Sequence, residues 1–66
     1  MAAGLAPLLS SADVAQLLDV STRTLEFWRY AGKGPAYVKV GKRVRYRPAD
    51  VEAYLEAQRQ GGDAPQ

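Results

Sequence analysis

The chain has 66 residues, nine of them basic and seven acidic, with 47% hydrophobic residues and neither cysteine nor histidine. A chain this short forms one domain that buries only about 60% of its unfolded surface, too little for a deep substrate cavity. Without cysteine or histidine there is no disulfide staple, no thiolate or imidazole metal ligand and no imidazole base, so neither catalysis nor a cofactor is expected.

The net charge of +2 conceals a strong polarity. Eight of the nine cations (Arg23, Arg29, Lys33, Lys39, Lys42, Arg43, Arg45 and Arg47) fall between Arg23 and Arg47 against the single acid Glu26, a local charge of +7. The remaining residues hold Arg59 against six acids, or −5. Charge separated this way makes a positive field on one part of a small domain, which suits a polyanion such as nucleic acid. The cations interleave with Phe27, Trp28, Tyr30, Tyr37 and Tyr46, residues of a folded surface rather than a solvated tail. The opening Met1 to Leu9 is apolar but too short, and lacks the basic start, for a secretory or membrane-spanning segment, so a cytoplasmic protein without membrane contact is expected. Residues 1–7 and 60–66 read as flexible tails, and 8–59 as the working domain.

In chain order, Ser10 and Asp13 have capping-box spacing, and Val14, Leu17 and Leu18 then repeat at i, i+3, i+4, predicting a helix over about Ser11 to Leu18. Asp19-Val20-Ser21 follows, with Val20 placed to plug a core and Ser21 to accept the amide of Thr24 as an N-cap. A second helix is predicted over about Thr22 to Ala31, with Leu25 and Trp28 inward and Gly32 at its C-terminal cap. Two short helices joined by a three-residue turn form a helix-turn-helix, whose second helix enters the DNA major groove. Beyond Pro35 the period changes from 3.6 to 2. Tyr37 to Val40 and Val44 to Arg47 alternate around Gly41-Lys42-Arg43, predicting a β-hairpin with Val38, Val40, Val44 and Tyr46 on the core and Lys39, Lys42, Arg43, Arg45 and Arg47 outward. Pro48 suits the first position of a third helix, which packs back through Val51, Tyr54 and Leu55. The fold expected is mainly α with a β-hairpin wing, a winged helix-turn-helix in the order α-α-β-β-α.

Specific residues add a family likeness. Leu9-Ser10-x-x-Asp13-Val14-Ala15-x-Leu17-Leu18-x-Val20-Ser21-x-Arg23-Thr24-Leu25, Trp28-Arg29-x-x-Gly32-x-x-Pro35 and Gly41-x-x-Val44-Arg45-Tyr46-Arg47-x-x-Asp50-Val51-x-x-Tyr54-Leu55 together resemble the excisionase-type winged helix domain related to the MerR superfamily. The sequence departs from that pattern by an additional glycine in Ala31 to Pro35, expected to matter little, and by an unusually aromatic second helix. The resemblance implies DNA binding without enzymatic activity, with several copies lining up on adjacent sites, bending the DNA and steering a partner integrase toward excision. Proteins of this pattern also include AlpA-like activators and other small regulators, so a transcriptional role on the same fold is the alternative. A basic module for RNA or an acidic protein is the more distant one. The protein is expected to be a monomer in solution.

The candidate contacts on the second helix are Ser21, Thr22, Arg23, Glu26, Phe27, Arg29 and Tyr30. Arg23 lies where a side chain reaches a base edge and can bind guanine O6 and N7. Thr24 serves as the partner of the Ser21 cap. Glu26 either accepts from a cytosine amino group or pairs with Arg23 or Arg29, whereas Phe27 and Tyr30 meet either thymine methyl groups and phosphate or the wing. Trp28 is assigned to the core. On the wing, Lys42 and Arg43 at the tip are the candidates for the minor groove or its phosphates, Arg45 and Arg47 for backbone phosphates, with Arg47 alternatively against the entry to the third helix, and Lys39 is a further DNA contact.

Overall fold

The computed structural model describes residues 7–60, so residues 1–6 and 61–66, where most of the expected tails fall, lie outside the described residues. Its elements are α1 (Ser11–Leu18), α2 (Thr22–Ala31), β1 (Val38–Val40), β2 (Arg43–Arg45) and α3 (Pro48–Ala57). The order is the predicted α-α-β-β-α, with the strands forming a two-stranded antiparallel sheet.

Local chemistry sets the helix ends. The Asp13 amide donates to Ser10 Oγ at 3.0 Å while Asp13 Oδ2 accepts from the Ser10 amide at 3.1 Å, a closed capping box. α1 ends at Asp19, which adopts the left-handed conformation (φ 58°, ψ 44°), and the Val20 amide donates back to the Ala15 carbonyl at 2.9 Å. Ser21 then caps α2 by accepting from the Thr24 amide at 3.0 Å. Gly32 closes α2 and Pro48 opens α3 at the positions read from the sequence.

Val14, Ala15, Leu25, Tyr46 and Val51 form the buried core, with Leu9, Leu18, Val20, Trp28 and Val44 packed against it. Trp28 meets Tyr54 of α3 with ring centroids 5.7 Å apart. Two helical positions depart from the predicted stripes: Leu17 is 63% and Leu55 49% exposed. On α1 the core arc runs from Val14 through Leu18 to Ala15, and at about 100° per residue Leu17 falls off its edge. α3 reaches the core through Val51, and Leu55 lines a surface groove together with Leu17 rather than joining the core.

The hairpin shows a third departure. Its register pairs Val38 with Arg45, Lys39 with Val44 and Val40 with Arg43. Directly opposed residues project to the same side, so Val38 and Val40 share a face with Arg43 and Arg45, and Lys39 shares the other with Val44. Val40 is accordingly 52% exposed instead of covering the core. The reason is loop length. A three-residue loop over Gly41-Lys42-Arg43 would oppose Val40 to Val44, whereas the observed two-residue turn, Gly41-Lys42, shifts the register by one and reverses the parity. Gly41 has φ +65°, the positive value that the first central position of a type II′ turn requires.

An unforeseen contact ties the hairpin to the chain start. Leu9 and Tyr46 exchange backbone hydrogen bonds of 2.7 and 2.8 Å as an isolated antiparallel bridge. The additional glycine, Gly34, also has a structural role, contrary to the expectation that it matters little. With φ +85° it lies against the indole, where a Cβ would come within 2.8 Å of Trp28 Cε3.

Candidate nucleic-acid interface

α2 divides its residues cleanly between two faces. Leu25 is fully buried and Trp28 packs on the core, whereas Arg23, Glu26, Phe27 and Tyr30 are exposed. These four follow i, i+3, i+4 and i+7, so they form one stripe along the helix. The stripe, with Arg29 at its edge, lines a surface hollow. Phe27 is 60% and Tyr30 91% exposed, so neither aromatic packs away on the wing. Thr22 and Arg23 stand exposed in the first turn, and Ser21 and Thr24 are joined both by the cap and by a 3.0 Å hydroxyl contact. No ion pair joins Glu26 to Arg23 or Arg29 among the described residues, so its expected surface pair does not form and its carboxylate stays open to solvent.

Arg29 is directed elsewhere. Its Nη1 donates to Tyr46 Oη at 2.8 Å and to Ser11 Oγ at 3.5 Å, and its guanidinium carbon lies 5.8 Å from the centroid of the Tyr37 ring. Tyr37 and Tyr46 themselves pack with centroids 6.2 Å apart. One cation of α2 therefore grips the two tyrosines that bracket the wing, a planar fork suited to hydrogen bonding and ring stacking at once. Sequence reasoning placed Arg29 among the DNA contacts and left Tyr37 out of the site. Tyr37 stands level with Tyr46 only in the observed register, and a three-residue loop would set Val38 opposite Tyr46, so the sequence held no signal for the cluster.

On the wing, Lys42 occupies the turn itself and Arg43 opens β2 one step behind it. Lys39, Lys42, Arg43 and Arg47 are exposed, and Arg45 is half-buried with its Nη1 donating to the Val44 carbonyl at 2.8 Å. Because of the register, Lys39 leaves the hairpin on one side and Arg43 and Arg45 on the other, so positive charge surrounds the wing. α1 and α3, in contrast, carry Asp13, Asp50, Glu52 and Glu56 and no lysine or arginine.

A capped pair of short helices, a second helix with a polar and aromatic stripe facing solvent, and a cationic hairpin beside it define a winged helix-turn-helix DNA-binding protein. The comparison of families agrees: residues 8–59 match the Helix-turn-helix domain family, and the chain belongs to it. No curated protein matches the sequence. No helix among the described residues is long and apolar enough to cross a membrane.

Proposed function

We propose that the protein is an architectural DNA-binding protein of the excisionase type. In this reading α2 lies in the major groove with Arg23 and Glu26 at base edges and Phe27 and Tyr30 against thymine methyl groups or sugar-phosphate. The wing places Lys42 and Arg43 beside the adjacent minor groove, with Lys39, Arg45 and Arg47 at phosphates. The observation that carries the reading is the exposed Arg23/Glu26/Phe27/Tyr30 stripe flanked by the cationic hairpin. Two large aromatic side chains exposed side by side mark an interaction surface, and the cations around them favour a polyanion as its partner.

The architectural part rests on the sequence resemblance and on interface size. A single module of this kind buries roughly 600–1,000 Å² on DNA, at the low end for specific complexes. Adjacent copies offset that weakness jointly, along with the bending energy of order 1–6 kcal/mol for a site of about 20–30 base pairs. Several monomers on neighbouring sites would then bend the DNA and direct an integrase toward excision. Titration of a native attachment-site fragment should give stepwise, cooperative gel shifts, a bend that grows with occupancy in circular-permutation gels, and stimulated excision when the integrase is added. A single non-cooperative complex on straight DNA would replace this role with that of a simple transcriptional regulator.

A further inference from the structure

The side of the molecule formed by α1 and α3 has a surface apart from the contacts proposed for DNA. Between the two helices runs a groove of about 220 Å³ lined by Leu9, Leu17, Pro48, Val51, Glu52 and Leu55. Leu17 and Leu55 both line it and both are exposed, although both sit at positions where helical periodicity predicts core. Leucine side chains left in water beside a concave surface gain free energy when a partner removes them from it. The rims are acidic. Asp13 and Gln16 border Leu9 and Leu17 on one flank, and Glu52 and Glu56 border Leu55 on the other. Asp13 also closes its capping box and Glu56 is paired with Arg59 at 3.1 Å, so Glu52 is the carboxylate most available to a ligand. None of these residues lines the hollow on α2.

We propose that the α1/α3 groove docks a basic amphipathic helix of a partner protein. An apolar anchor at i and another at i+3 or i+4 enter between Leu17 and Leu55, and flanking lysines or arginines meet Glu52 and Asp13. Charge selects this occupant. The carboxylates repel phosphate and the acidic α1/α3 side of a second copy, and a second copy's cationic α2 and wing are the surface proposed for DNA. The docking surface and the DNA surface share no lining residue, so both sites can be filled at once and the protein can join a DNA site to a partner. The proposal is independent of the excisionase reading.

The test uses the full chain, isotopically labelled, and a synthetic helix of about five turns with leucine at i, i+3, i+4 and i+7 and lysine elsewhere. Controls are the same helix with glutamate for lysine and a leucine/lysine scramble without an apolar face. The Leu/Lys helix should shift the amide resonances around Leu9, Leu17, Val51, Glu52 and Leu55, and neither control should do so. Leu17→Lys with Leu55→Lys, and separately Glu52→Lys, should each weaken the peptide by about tenfold or more. Both leucines and Glu52 are exposed, so unchanged circular dichroism and DNA affinity verify that the variants fold. Equal binding of the scramble, shifts confined to other surfaces, or no binding at millimolar peptide would overturn the proposal. So would a concentration-dependent dimer abolished by the leucine variants, which would assign the groove to a second copy. Peptide binding seen only after deletion of residues 1–6 would overturn it as well, by assigning the groove to the chain's own leader.

Discussion

Arg23 projects from the first turn of α2 into solvent with no partner from the protein, while its neighbour Thr24 is held by the Ser21 cap. A guanidinium so placed has both arms available for one guanine, and a bidentate contact of that kind discriminates by about 1–3 kcal/mol. Arg23→Ala should therefore weaken the cognate site by that amount and random duplex by little, measured by anisotropy on both at one salt concentration; equal losses would move Arg23 to phosphate. Gly34 presents a different single-residue test. Both Gly32 and Gly34 have positive φ, but a Cβ at Gly32 meets nothing within 4 Å, whereas at Gly34 it meets the Trp28 ring. Each alanine replacement carries the left-handed backbone cost of roughly 1–2 kcal/mol, and only Gly34→Ala adds overpacking against the indole, typically about 1–3 kcal/mol more. Urea unfolding should rank Gly34→Ala clearly below Gly32→Ala. Similar stabilities would mean that the indole moves aside without cost.

At the scale of the element, the wing is held to α2 by Arg29, which bonds Tyr46 and stacks over Tyr37. Tyr46 is buried, so its hydroxyl acts on affinity through what it holds, the Arg29 side chain and with it the wing. Tyr46→Phe removes one bond to a charged donor, worth about 1.5–3 kcal/mol, and should lower DNA affinity several-fold as well as stability. Arg29→Gln should do the same, and the double variant should be less than additive; full additivity would separate the grip from the wing's position. These couplings also mark where sequence reasoning stopped. Ser10 with Asp13, Ser21 with Thr24, and Pro48 announce the helices because caps are local, and the Arg23/Glu26/Phe27/Tyr30 stripe is legible from periodicity alone. The faces of the hairpin were not, since one residue of loop length decides whether Val44 or Arg43 stands opposite Val40. The Leu9–Tyr46 bridge and the Arg29 cluster join residues far apart in sequence, and no spacing rule reaches them. Leu17 and Leu55 were misplaced because a helical apolar stripe is wider than the core available to a domain of this size.

Across the whole molecule, the charges sort by element: α2 and the wing carry the cations, α1 and α3 the acids. Such a charge distribution orients the protein as it approaches a polyanion, turning the acidic helices outward and the wing inward before any base is read. Affinity should then follow counterion release. On the wing Lys39, Lys42, Arg43 and Arg47 are exposed and Arg45 is half-buried, five cations set at or beside phosphates in the proposed complex. About five phosphate-level contacts at roughly 0.9 ion each give a slope of log affinity against log salt near −4 to −5. Lys42, at the tip of the wing, has no base-reading geometry and acts as a point charge, so Lys42→Ala should weaken every duplex alike and make the slope shallower by about one. Glu52→Gln, on the acidic side, should leave the slope unchanged. Binding isotherms over a salt series distinguish the outcomes. A slope near −1 for the parent protein would mean that the cations do not reach phosphate. A change in slope on Glu52→Gln as large as on Lys42→Ala would mean that net charge, and not the division of charge between the two sides, sets the affinity.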